Sequence, residues 1–209
     1  MSATAKFWNR MAKGYAKSSI ADQASYEHKL ELTRSYFTPE MEVVEIACGT
    51  GSTALLHAPH VKHILATDIS ENMLAIAREK AGAQGITNVT FECSPIDELT
   101  VPDGSTDMVM AHSILHLLPE PEATVASVHK MLKPGGLFVS STVCLQDGLG
   151  FFKYILPIAR LVGYAPPHVG FLKEEELESM ITSAGFTLEH NWRPGPKKAV
   201  FIIARKSEA

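Results

Sequence analysis

The chain is poor in cysteine. Its 209 residues hold three, Cys48, Cys93 and Cys144, with no C-x-x-C pair among them. An odd, scattered set argues against a disulfide framework or a zinc site, and fits a reducing, cytoplasmic setting. No apolar run reaches the roughly 18 residues a spanning helix needs, so no transmembrane segment is expected. Residues 1–20 are polar and lack the apolar core of a secretory signal. An excess of positive charge is missing too. Lys and Arg number 19 against 23 Asp and Glu, a formal charge of −4, which argues against a dedicated nucleic-acid binder with a basic face. There is no internal repeat and no low-complexity tract. What remains is 45% hydrophobic and 20% charged, the composition of a globular protein large enough for one domain with a sizeable core.

The stretch that organises this core is Val43-Val44-Glu45-Ile46-Ala47-Cys48-Gly49-Thr50-Gly51-Ser52. Apolar, β-branched residues run into two alternate glycines, the pattern of a buried strand, a tight turn and a helix start. Glycine at such a turn permits left-handed backbone and close approach to a ligand. A second strand, His63 to Asp68, ends in an acid 19 residues after Gly49. That is about the ~20-residue spacing at which a carboxylate meets the ribose hydroxyls of a nucleoside-bearing cofactor. Gly49-Thr50-Gly51-Ser52-Thr53-Ala54 also satisfies the G-x-G-x-x-G/A dinucleotide fingerprint.

Two amphipathic helices precede the first strand. Phe7, Trp8, Met11 and Tyr15 share one face, as do Tyr26, Leu30, Thr33 and Phe37 before Pro39. These aromatic faces either cover the sheet or form a lid over the cofactor. After Asp68, Ser70 caps a helix with Met73, Ile76, Ala77 and Ala81 inward. Strands follow at Val89–Cys93 and Thr106–Ala111, then a helix from about Glu120 to Leu132 that stops at Lys133-Pro134-Gly135-Gly136. A fifth strand runs Leu137–Thr142, a helix Lys173–Ala184, and two closing strands about 186–192 and 198–205. Alternating strands and helices predict an α/β fold, a mostly parallel sheet with helices on both faces. The expected organisation is one domain: a helical cap over 1–40, a cofactor-binding core over 41–147, an apolar insertion over 148–172, and a C-terminal helix and hairpin over 173–209.

Glu45-x-Ala47-x-Gly49-x-Gly51, Asp68, the Phe91–Asp107 segment and the Lys133–Gly136 turn stand in one order. Together they resemble the motifs of class I S-adenosylmethionine-dependent methyltransferases of the small-molecule type. The resemblance covers roughly residues 40–142. It implies a Rossmann-like, seven-stranded sheet with one antiparallel strand, two N-terminal lid helices and S-adenosylmethionine as cofactor. It assigns the cofactor to Tyr15, Glu45, Ala47, Gly49, Thr50, Gly51, Asp68, Ile69, Met73, Ile96, Ala111 and His112. Two positions depart from the pattern: Ala47 replaces the usual first glycine, and Pro95 stands where an acid often contacts adenine. The activity implied is direct methyl transfer to a small, partly apolar molecule. Because the methyl on the sulfonium is already activated, few catalytic side chains are needed.

After the fourth strand, Ala111-His112-Ser113-Ile114-Leu115-His116 borders the cofactor. His116 is the candidate base where the acceptor must lose a proton; both histidines otherwise contact the cofactor's methionine end or pack within the loop. His57, His60 and His63 are spaced by three, but Pro59 breaks the helix and no Cys or acid completes a metal cluster, so a solvated loop is expected and no metal. The insertion 148–172 is rich in aromatic and aliphatic residues. It serves as an acceptor lid with Trp8, Phe151, Phe152 and Tyr154 lining the pocket, as extra core, or as a reversible membrane contact. The competing functions are an NAD-dependent oxidoreductase using the same glycines, a nucleic-acid methyltransferase, and a binding module without catalysis. The first lacks a Tyr-x-x-x-Lys pair, the second a Pro-Pro-Tyr motif after strand four. The expected partner is a small molecule and not a nucleic acid; oligomeric state is not readable.

Overall fold

The protein is described here by a computed structural model covering residues 1–208. A seven-stranded sheet forms its centre, in the order β3-β2-β1-β4-β5-β7-β6. The strands are β1 (Glu42–Ile46), β2 (His63–Asp68), β3 (Val89–Cys93), β4 (Thr106–His112), β5 (Leu132–Thr142), β6 (Phe186–Trp192) and β7 (Val200–Lys206). All pairings from β3 through β5 are parallel, whereas β7 runs antiparallel between β5 and β6. Helices α1 (Ala3–Lys17), α2 (Gln23–Arg34), α3 (Ser52–His57), α4 (Glu71–Gln84), α5 (Pro121–Met131), α6 (Gln146–Leu149), α7 (Phe152–Leu161) and α8 (Glu174–Ser183) surround it. This is the predicted Rossmann-like architecture, with both N-terminal helices present. No helix among the described residues is long and apolar enough to cross a membrane.

Strand alternation splits the core in two. Val44 and Ile46 of β1, Val109 and Ala111 of β4, and Ile202 of β7 pack with Val125 and Val128 of α5 and Leu177 and Ile181 of α8. Val43, Met108, Met110, Phe201 and Ile203 point the other way, against Ala54 of α3 and Leu74 of α4. Both faces of the central strands β1, β4 and β7 are buried, which is why these strands read as near-continuous apolar runs, whereas the edge strands β3 and β6 are partly exposed.

Caps fall where short polar side chains stand before apolar periodicity. Ser2, Asp22 and Ser70 each accept a backbone N–H in the first turn of α1, α2 and α4. The predicted Lys133–Gly136 turn is instead built into β5, which starts at Leu132. Gly135, with φ +73°, forms a bulge there, and the register with β4 shifts between Thr106 and Met108. Residues 148–172, expected to be irregular, contain α7 despite Pro157 in its interior.

Candidate functional site

The carboxyl ends of β1, β4 and β5 meet the glycine turn and the linker between α1 and α2 around a cavity of about 390 Å³. That is within the range of small-ligand sites. Its floor is Glu45, Ala47, Cys48, Gly49 and Thr50; Tyr15 and the Ser18–Ile20 linker cover it, and His57, Lys80, His112 and Ser141 form walls.

The turn is strained where the sequence departs from the glycine pattern. Ala47 has φ +54°, a left-handed conformation that costs an L-residue on the order of 1 kcal/mol. Gly49 and Gly51 follow at φ +56° and +72°, where glycine carries no such cost. The two glycines do different work. A Cβ on Gly49 meets only the Tyr15 ring at 3.8 Å, so this backbone faces the cavity. A Cβ on Gly51 falls 2.7 Å from Ala77 Cβ and 3.1 Å from Phe91. Gly51 therefore allows α3 to pack on α4 and β3, and the space beside it belongs to the protein and not to a ligand. Lys80 of α4 clamps the turn from outside, with Nζ donating to Thr50 O, Thr50 Oγ1 and Ser52 Oγ at 3.0–3.1 Å.

Two carboxylates lie beneath the turn. Asp68 is 8% exposed; its Oδ2 accepts from Gly49 N–H at 2.9 Å and its Oδ1 from Ser70 N–H at 2.8 Å. Burial raises its pKa, and those backbone N–H donors oppose the rise. Glu45 is 2% exposed and its Oε2 has no partner. Burial pushes its pKa up to about 8, against a hydrogen bond from the Ala54 N–H, and the Asp68 charge adds to the rise. A buried, half-satisfied acid in a cavity is costly unless a cationic group completes it. It fits an ammonium-bearing ligand such as the methionine end of S-adenosylmethionine.

The histidines separate. His112 forms part of the wall; burial and then the Lys29 charge lower its pKa to about 4, and its Nε2 has no partner. His116 lies in the turn after β4, off the cavity lining. Its carbonyl accepts from Gly170 N–H, and burial lowers its pKa to about 4. His57, expected in a solvated loop, is fully buried: α3 continues to it, and it packs edge-on against Phe37 at 5.0 Å. Burial and the nearby His112 lower its pKa to about 3.

Of the residues expected to hold the cofactor, Tyr15, Glu45, Ala47, Gly49, Thr50 and His112 line this cavity. Gly51, Asp68, Ile69, Met73, Ile96 and Ala111 are not part of its lining, nor are Trp8, Phe151, Phe152 and Tyr154. Asn9 Oδ1 accepts from Ser70 Oγ–H and Asn72 N–H at 2.9 Å, while Asn72 Nδ2 donates to Asn9 O. This latch fastens α1 to the start of α4 at Ser70, the residue whose N–H also donates to Asp68, and at Asn72. Several cavity residues carry no motif. Lys29 of α2 donates to Ser141 Oγ at 2.8 Å, with its pKa pulled down by burial, and Tyr26 shares a hydrogen bond with Thr53. Their only sequence signal is that Tyr26 lies on the face of α2 that holds Leu30 and Thr33, with Lys29 next to it.

Residues 43–136 match the family model described as a methyltransferase domain. An uncharacterized chloroplastic methyltransferase of Arabidopsis thaliana is 27% identical over 179 residues, covering 81% of this chain and 50% of that protein. A demethylmenaquinone methyltransferase of Symbiobacterium thermophilum is 26% identical over 157 residues, covering 72% of this chain and 61% of its own. The chain thus spans between half and two thirds of these relatives' lengths. The fold is that of an S-adenosylmethionine-dependent methyltransferase from Mesorhizobium loti, with a TM-score of 0.71 at 22% identity over 88% of this chain and 99% of that one. Sheet order, strained glycine turn and domain match agree: residues 43–136 are similar to a methyltransferase domain, set in the fold that such enzymes share.

Proposed function

We propose that this protein transfers a methyl group from S-adenosylmethionine to a small, partly apolar molecule. The observation that carries the reading is the unpartnered, buried Glu45 carboxylate on the floor of the cavity, beside the left-handed Ala47–Gly49 turn. When bound, the cofactor supplies a methyl group already activated on a sulfonium. Glu45 would hold its ammonium group, the Gly49 backbone would admit it closely, and Asp68 would meet the ribose. Tyr15 and the Ser18–Ile20 linker exclude water.

The acceptor enters against His112, Ser113, Ser141 and Lys29. His112 is neutral at physiological pH, because burial disfavours its charged form, and its unpartnered Nε2 faces the acceptor as a hydrogen-bonding group. Two features support a small acceptor rather than a nucleic acid. The cavity is roofed by α1 and its linker, and the chain has a net negative charge.

Calorimetry with S-adenosylmethionine, its demethylated product and NAD tests the cofactor. Binding of the first two and not the third is expected. NAD binding without S-adenosylmethionine binding overturns the reading. An acceptor screen following release of the demethylated product then tests turnover.

A further inference from the structure

Helix α7 divides by exposure. Phe152, Leu156, Ala159 and Gly163 recur every three or four residues and are half-buried against the body. On the opposite side Phe151, Tyr154, Ile155, Ile158, Leu161 and Val162 form a stripe of the same period, each between 47% and 87% exposed. No residue of α7 is buried. An outward stripe made only of large apolar side chains is uncommon on a water-soluble surface and marks an interface.

Charge indicates what lies opposite. Residues 148–172 contain Lys153 and Arg160 and no acid. The neighbouring α1 is the same: residues 1–21 contain Lys6, Arg10, Lys13 and Lys17 and no acid. Those four, spaced by four, three and four, lie on one exposed face of α1. Arg10, within that row, donates to Gly163 O at the end of α7 and joins the two helices. None of these six cations has a carboxylate partner among the described residues. The whole chain has 19 Lys and Arg against 23 acids; six of the cations collect here and none of the acids does. An apolar, aromatic-rich helix face next to a basic helix row, on an otherwise acidic protein, has the composition of a surface that meets a bilayer interface carrying anionic lipid.

We infer that α7 and the basic row of α1 dock this protein on an anionic phospholipid surface. The apolar stripe of α7 enters the headgroup boundary, and the basic row Lys6, Arg10, Lys13 and Lys17 of α1 faces the lipid phosphates. The last turn of α1 carries Tyr15 and leads into the Ser18–Ile20 linker, both of which cover the cavity, so docking brings the cavity mouth to the membrane. An acceptor dissolved in the bilayer then reaches it without crossing water. This consequence rests on the methyl-transfer reading; the docking does not.

Co-sedimentation with vesicles of phosphatidylcholine alone, and of phosphatidylcholine mixed with phosphatidylglycerol, tests the inference. The full chain should bind the anionic vesicles at low salt, bind phosphatidylcholine weakly, and be released as salt rises. Ile158→Asp and Leu161→Asp should each abolish binding. Lys6→Ala and Lys13→Ala should each weaken it by about fivefold, the worth of one cation near such a surface. All four side chains are exposed, so far-UV circular dichroism and cofactor affinity should stay as in the parent. Failure to bind anionic vesicles at low salt overturns the docking, as does unchanged binding by the Ile158 and Leu161 variants. A parent that sediments as a dimer and an Ile158→Asp variant that sediments as a monomer overturn it too, because the stripe then faces a second copy. Each of these results leaves cofactor binding untouched, so it is separate from failure of the methyl-transfer reading.

Discussion

Replacing Glu45 with Gln should stabilise the ligand-free protein while impairing cofactor binding. Glu45 has a folded-state pKa of about 8 against an ordinary 4.5. Between those values the unfolded chain has lost the proton and the folded chain keeps it. The folded state therefore binds more protons, and stability falls as pH rises across the window. Holding the proton at neutral pH, about 2.5 pH units above the ordinary value, costs on the order of 3 kcal/mol. Glutamine needs no proton, and its carbonyl can still accept from Ala54 N–H. Near neutrality the variant should be more stable by roughly that amount, a rise in Tm of ~6–12 °C for a chain of this size.

Three buried histidines act in the opposite sense. His57, His112 and His116 have folded pKa values of about 3, 4 and 4, below the ordinary 6.5, so their contribution is lost as pH falls below that value. The Glu45 slope is thus cleanest between about pH 6.5 and 8, and the difference between parent and variant isolates it elsewhere. Thermal and urea denaturation across this range, with and without S-adenosylmethionine, is the assay. A parent whose stability is flat from pH 6.5 to 8 would refute the burial argument. A variant that binds the cofactor like the parent would refute Glu45 as the ammonium partner.

Ala47→Gly should raise stability by up to about 1 kcal/mol, because relief of the left-handed strain at φ +54° exceeds the added freedom of the unfolded chain; a lower urea midpoint would mean that Ala47 is not strained. Asp68→Ala should weaken cofactor binding and also lower stability, by ~1–3 kcal/mol, since it strands the Gly49 and Ser70 N–H groups; calorimetry and denaturation separate the two effects. His112→Gln should reduce kcat/KM for the acceptor and His116→Gln should not, because only the first lines the cavity; steady-state kinetics with equal effects on both would return the catalytic role to the outer histidine.

How much of this was legible in the sequence follows from what each signal depends on. The strands and the glycine turn were readable because both faces of the sheet are covered, so β-branched residues run unbroken until the glycines interrupt them. Glu45 was legible through the motif it shares with the resembled family, and its burial explains why it stands out: an acid in a strand covered on both faces is costly unless something completes it. The register that puts Val43 and Val44 on opposite faces turns its side chain away from α5 and α8. What escaped reading depends on contacts distant in sequence. The Asn9 latch joins residues 61 and 63 positions apart, and the Lys29–Ser141 bond spans 112. Neither asparagine nor lysine at those places breaks any local pattern.

The histidine and helix misreadings share a physical origin. Pro59 truly ends α3, but two residues beyond His57, so the proline that suggested a solvated loop instead fixes the last helical residue beneath Phe37. In α7 an apolar stripe of period 3.6 reads identically whether it faces a core, a pocket or a lipid surface, because periodicity reports that a face is apolar and not what covers it. Only the exposure of Ile158 and Leu161, opposite the half-buried Leu156 and Ala159, distinguishes these cases. The missing acids of residues 1–21 and 148–172 were visible from the start. They acquired meaning when the Arg10–Gly163 contact brought two segments some 150 residues apart in sequence side by side.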